Sequence, residues 1–129
     1  SLGAARIASA GNNTRLGDLV ETARQKFALD HIKYVGDPGQ SITQVALACG
    51  SGGSFLGKAV AAGCDAMVTG ETTFHTCLEA SASGVGLLLL GHYASERFAV
   101  ERLATVIGDA FADLQVWASE QESDPLQYL

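Results

Sequence analysis

Positive charge is scarce in this chain. Its 129 residues carry 8 Lys and Arg against 14 Asp and Glu, a net charge of −6, and no basic run appears. A general affinity for nucleic acid or an anionic membrane needs a basic face, so neither partner is expected. Long apolar runs are lacking too. No stretch reaches about 18 apolar residues and no charged-then-apolar leader opens the chain, so neither membrane spanning nor export is indicated. A cytoplasmic location is the expectation. Cys49, Cys64 and Cys77 are odd in number, lack CxxC spacing and sit among small or apolar residues. They read as reduced, buried thiols and not as a disulfide or zinc-thiolate framework. The opening SLGAARIAS lacks an initiating Met, which suggests a fragment or a processed product.

What remains is apolar and rich in glycine. Hydrophobic residues make up 47% of the chain and charged ones 17%, with 15 Gly. That is a globular composition, and the length suits a single domain, 1–129, with one core.

The periodicity predicts a helix over 16–27, with Leu16, Leu19, Val20, Ala23 and Phe27 on one stripe and Thr14 as N-cap. HIKYVG (31–36) is a short β-rich run closed by the turn Asp37–Gly39. A regular alternation follows: strand 43–49, loop GSGGS, helix 55–63, strand 65–70, helix 72–82, strand 85–91, helix 95–111, and LQVWAS (114–119) as a fourth strand. The last helix is expected to turn Val100, Leu103, Val106, Ile107 and Ala110 inward. Strands alternating with helices imply βαβ units, so the expected fold is α/β, a layered sheet of mostly parallel strands with helices on both faces.

In such sheets the binding crevice lies beyond the carboxyl ends of the strands. The loops there are GSGGS (50–54), GETTFH (70–75), GHYASE (91–96) and SEQESDP (119–125), and the chemically capable residues fall in them. Gly91 lets the chain turn off its strand at His92, and Ser95 reads as an N-cap that places Glu96 in the first helical turn. Imidazole and carboxylate together suit Zn, Mn or Fe. The plainer alternative is a cap, a carboxylate at the helix dipole and a local histidine bond. Two ligands do not complete a site, since catalytic zinc usually has three from protein.

Glu71 and His75 can act as an acid–base pair or support a metal ligand. Alternatively they mark a solvated helix start, with His75 paired to Glu79. Gly50, Ser51, Gly52 and Gly53 lie between a strand and a helix, where free N–H groups can hold a phosphate. They lack the GxxxxGK[ST] spacing of a Walker loop, and a tight βα turn is the more common explanation. In the acidic tail, Asp124 and Glu120 can reach a cation, or the tail is simply solvated and docked through Leu126 and Tyr128. His31, at the start of a β run far from these loops, reads as a surface residue.

In order, CGSGGS, TGETTFH, LLLLGHYASERF and SEQESDPLQYL resemble the carboxyl-terminal half of the NIF-three-like family (Ngg-one-interacting factor three), many of whose members are labelled type 2 GTP cyclohydrolase I homologues. LGAARI and HIKYVGDP fit the middle of that family, so the resemblance spans essentially the whole chain. It implies a two-metal centre between related halves, and assembly into dimers and ring-like hexamers. It implies that His92 and Glu96 ligate divalent metal, with Glu71 and His75 bordering the same cleft. It further implies hydrolase-like chemistry on a purine nucleotide ring, or, as a rival reading, a non-catalytic oligomerisation or interaction module. The family's other ligands, a His-His pair and an Asp, belong to its amino-terminal half. This chain has no adjacent histidines, so the metal site is expected to be incomplete and the missing amino-terminal half to be a partner.

Overall fold

A computed structural model of the chain describes residues 4–127. Strands β1 (Arg6–Ser9), β2 (Lys33–Val35), β3 (Gln44–Ala48), β4 (Ala66–Thr69) and β5 (Gly86–Leu89) form one sheet in the order β1-β3-β4-β5-β2. The sheet is mixed, not mostly parallel. β3, β4 and β5 run parallel, but β1 joins β3 and β2 joins β5 antiparallel. β4 and β5 carry apolar runs because both their faces are covered, β3 is buried except at Gln44 and Leu47, and β1 is exposed along its whole length.

The helices are α1 (Leu16–Lys26), α2 (Leu56–Ala61), α3 (Phe74–Ala82) and α4 (His92–Ala110), with a 3-10 turn Gly52–Phe55 leading into α2. The pleat sends alternate strand residues to two cores. Ala46, Ala48, Met67 and Leu87 meet Leu56, Ala59 and Ala80 of α2 and α3 on one face. Val45, Ala66, Val68 and Leu88 meet Leu16 and Ala23 of α1 on the other. Helices on both faces are therefore present. The α1 stripe packs as expected, with Leu19, Val20 and Phe27 flanking its buried pair.

Several local expectations are not met. Thr14 does not cap α1: its hydroxyl donates to Gly11 O, and Arg15 occupies the N-cap, its backbone N–H donating to Asp18 Oδ2 at 2.9 Å. α4 starts at His92, so Ser95 is a buried residue inside the helix and not its cap. LQVWAS forms no strand. That segment runs back along α4, where Arg97 donates to Ser119 O at 2.5 Å and Tyr93 to Glu122 O at 3.0 Å.

The inward face expected for α4 is not buried. Its first turns are anchored by Ser95 and by an edge-on Phe27–Phe98 contact, with ring centroids 5.9 Å apart. Beyond them Val100, Leu103 and Val106 are 43%, 57% and 47% exposed. Among the described residues no helix is long and apolar enough to cross a membrane.

Candidate metal centre

The carboxyl ends of β3, β4 and β5 deliver loops 49–54, 70–73 and Leu90–Gly91 to one edge of the sheet. Gly50 O ties the first two together, accepting from Gly70 N and Glu71 N at 3.0 Å each. Gly91 N donates to Gly70 O at 2.8 Å and joins the third. Gly91 has φ +93°, a region that glycine enters without steric cost, and this bend starts α4 at once with His92 as its first residue.

Ser95 then locks that start. Its hydroxyl donates to His92 O and accepts from Gly50 N, both at 2.9 Å. One turn of helix separates His92 from Glu96, so both side chains lie on the same face, with Nε2 and Oε2 3.3 Å apart. On the other side of the ring, Nδ1 lies 2.8 Å from Glu71 Oε1. An ionised carboxylate only accepts, so the Nδ1 proton points at Glu71 and the neutral ring keeps its lone pair on Nε2. Ser51 donates to the same Glu71 oxygen at 2.7 Å.

Electrostatics follow this geometry. The Glu71 hydrogen bond, more than any other contact, raises the His92 pKa above its ordinary value; the Glu96 charge adds to it and partial desolvation opposes it. Reciprocally, the bond from His92, then that from Ser51, holds the Glu71 carboxyl below its usual range. The three side chains are about half exposed, so a ligand can approach.

The glycine loop spends part of its donor capacity within the protein. Gly50 N is spent on Ser95, and Gly52 N donates to Thr69 Oγ1 at 3.0 Å, so two of its N–H groups already have protein partners. Gly50, at φ +60°, leaves open the space beside the imidazole and carboxylate. A Cβ there would stand 3.1 Å from His92 Nε2 and closer still to Glu96 Oε1. An imidazole nitrogen and a carboxylate oxygen side by side, with the second ring nitrogen held by another carboxylate, is a donor set that fits a divalent metal. Among the described residues no group of three or more His, Cys, Asp or Glu could hold a metal ion, so the set is partial.

His75 is not drawn into this cluster. Its ring lies beside Phe74, centroids 6.5 Å apart, and it is bonded to neither Glu71 nor His92. The tail does arrive: Asp124 and Leu126 line a cavity of about 380 Å3 with His92, Glu96 and Arg97, while Glu120 lies away from it beside Trp117. Tyr128 lies outside the described residues.

His31 is exposed, as expected, but it is not far from the loops. It lines a cavity of about 240 Å3 together with Lys33, Glu71 and His92. The sequence reading missed this because β2 reaches the site only by pairing antiparallel with β5.

Residues 1–125 match the family model described as Duf34/NIF3 (NGG1p interacting factor 3). A Staphylococcus aureus protein named GTP cyclohydrolase 1 type 2 homolog is 32% identical over 127 residues, covering 95% of this chain and 34% of its own length. A Pseudomonas aeruginosa protein of the same name is 37% identical over 104 residues, 75% of this chain and 41% of its own. The crystal structure of Staphylococcus aureus protein SA1388 superposes with a TM-score of 0.89 at 31% identity, over 97% of this chain and 42% of that one. A Bacillus cereus protein related to NIF3 shares the fold, with a TM-score of 0.80 at 24% identity over 95% of this chain and 35% of its own. The chain thus spans well under half the length of these relatives, and it belongs to the Duf34/NIF3 (NGG1p interacting factor 3) family.

Proposed function

We propose that this chain is the carboxyl-terminal part of a divalent-metal-binding, hydrolase-like protein and supplies His92 and Glu96 to a dinuclear site. The observation that carries this reading is the His92 Nε2–Glu96 Oε2 separation of 3.3 Å beside Gly50, with Glu71 holding Nδ1. Zn, Fe and Mn all suit imidazole with carboxylate. A bound divalent ion would supply Lewis acidity and lower the pKa of water.

The chain's own residues do the rest. Glu71 keeps the proton on His92 Nδ1 so that Nε2 faces the ligand, and Ser51 fixes Glu71. Proton movement falls to Glu71, which touches the imidazole, more readily than to His75, which does not. Its substrate, following the printed names of the relatives, is a purine nucleotide ring. The remaining ligands come from the amino-terminal half, in keeping with relatives more than twice this length.

Titration of this chain with Zn2+ and Mn2+ tests the ligand assignment. Weak, saturable binding is expected, lost in His92→Ala. Equal binding by both proteins sinks it.

The exposed face of α4 supports a second reading, an assembly module. Val100, Leu103 and Val106 stand 43%, 57% and 47% exposed on it, with Phe111 and Trp117 just beyond the helix at 57% and 70%, and large apolar side chains left in water favour an interface. The cover is the rest of the protein together with further copies, as a dimer or hexamer. Hydrolysis that a chelator abolishes in the metal-loaded, full-length protein would count against a purely structural module.

A further inference from the structure

The cavity of about 240 Å3 between β2 and the metal-site loops has a mixed lining. The site loops contribute Glu71, Thr72 and His92 to its lining, and the segment at β2 contributes His31 and Lys33. Lys33 pairs in register with Leu89, the last residue of β5, so the strand that carries the ammonium group is fixed beside the carboxyl end of β5. Cations are few in this chain, and several are already engaged. Arg15 donates to Gly39 O and Ser41, Arg24 pairs with Glu21, Arg97 with Glu101, and Lys58 sits over the Phe55 ring. Lys33 is exposed and has no ion pair or hydrogen bond among the described residues. Glu71, the acid in the same lining, has its charge directed at His92 and Ser51.

We propose that this cavity is an oxyanion subsite, in which Lys33 and His31 hold a phosphate or carboxylate group of the ligand. The volume lies below the roughly 300–1,000 Å3 of sites that enclose a whole drug-sized molecule, so it suits one charged group of a larger one. A ligand anchored there extends past His92 towards Glu96. The subsite would thereby set which end of the substrate meets the candidate metal centre. That orienting consequence rests on the metal-site reading; the anion contact itself does not.

Inorganic phosphate titrated into this chain in the presence of a chelator, followed by backbone amide NMR, isolates the contact from any metal. Expected are saturable shifts at Ile32, Gly70, Thr72 and Gly91, with affinity about tenfold weaker in Lys33→Met and recovered in Lys33→Arg, as loss of a charge-assisted hydrogen bond requires. His31→Ala weakens binding further in the Lys33→Arg background. A parallel acetate titration assigns the class: the tighter of the two anions identifies a phosphoryl or a carboxylate group. Unchanged affinity in Lys33→Met, or equal shifts around the exposed Lys26 and Lys58, overturns the proposal. Failure of the chain to bind Zn2+ or Mn2+ would remove the metal reading and leave this result standing.

Discussion

Gly50 and Glu96 lie so close that a side chain at position 50 would have to displace the Glu96 carboxylate. A Cβ there would overlap Glu96 Oε1 and come within 3.1 Å of His92 Nε2, and φ +60° is itself a left-handed conformation. The pair is what makes the loop after β3 part of the candidate metal site.

Gly50→Ala is therefore expected to lose about 1–2 kcal/mol of stability through backbone strain and to displace the Glu96 carboxylate. Gly57→Ala is the control, because a Cβ there meets nothing within 4 Å and α2 favours Ala. Chemical denaturation and Zn2+ titration should show both losses in the first variant and neither in the second. Equal metal affinity in the two would detach Gly50 from the site.

Glu71→Gln keeps the shape of the side chain but removes the charge that holds His92. The His92 pKa is raised mainly by its bond to Glu71, so it should fall towards the ordinary value in the variant. A two-dimensional NMR titration of the ring reads this directly. Metal affinity is expected to drop about 10–100-fold, the usual cost of losing a carboxylate behind a ligating histidine. An unmoved His92 titration would show that Glu71 does not govern the ring.

The three central strands and the helices between them were legible because each carries its own signal. Met67, Val68, Leu87 and Leu88 are apolar on both faces, and Gly63, Gly84 and Gly91 mark the breaks with positive φ. The edges were not legible. β1 carries no buried residue, and nothing in Lys33–Val35 says that it pairs antiparallel with β5. Ser95 has the composition of an N-cap, but its hydroxyl is taken up by Gly50 N, a partner 45 residues away. The His92–Glu96 spacing was readable from one helical turn, whereas the approach of His31 depends entirely on sheet order. LQVWAS has strand-like residues, but α4 carries the chain roughly 28 Å from the site at 1.5 Å per residue, and the segment returns along the helix.

Asp65 closes the end of β4 opposite the site. Its Oδ2 accepts from Thr43 Oγ1, Thr43 N and Gln44 N, and these bonds, led by the Thr43 hydroxyl, hold its carboxyl below the usual value. A depressed folded-state pKa adds stability that is fully present above the unfolded value and is lost as pH falls through the folded one. Asp65→Ala should cost about 1–2 kcal/mol near neutrality, with the gap to wild type shrinking as the solution is acidified below pH 3.8. Urea denaturation at several pH values measures it. A gap that stays constant into acid would assign the loss to packing and not to the charge.

The outer face of α4 gives the assembly reading its sharpest test. Leu103 is 57% exposed and sits one turn from Val100 and Val106, so a carboxylate there disturbs no core. Leu103→Glu should change the stability of the isolated chain by less than about 0.5 kcal/mol, as exposed substitutions usually do. In the full-length protein the same substitution would place a charge in a covered interface, where an unpaired carboxylate is strongly disfavoured. Sedimentation velocity is then expected to show a smaller assembly, while metal content stays unchanged because Leu103 lies two turns beyond Glu96. An assembly of undiminished size would mean that this face meets water in the whole protein as it does here, and the case for α4 as an interface would fall.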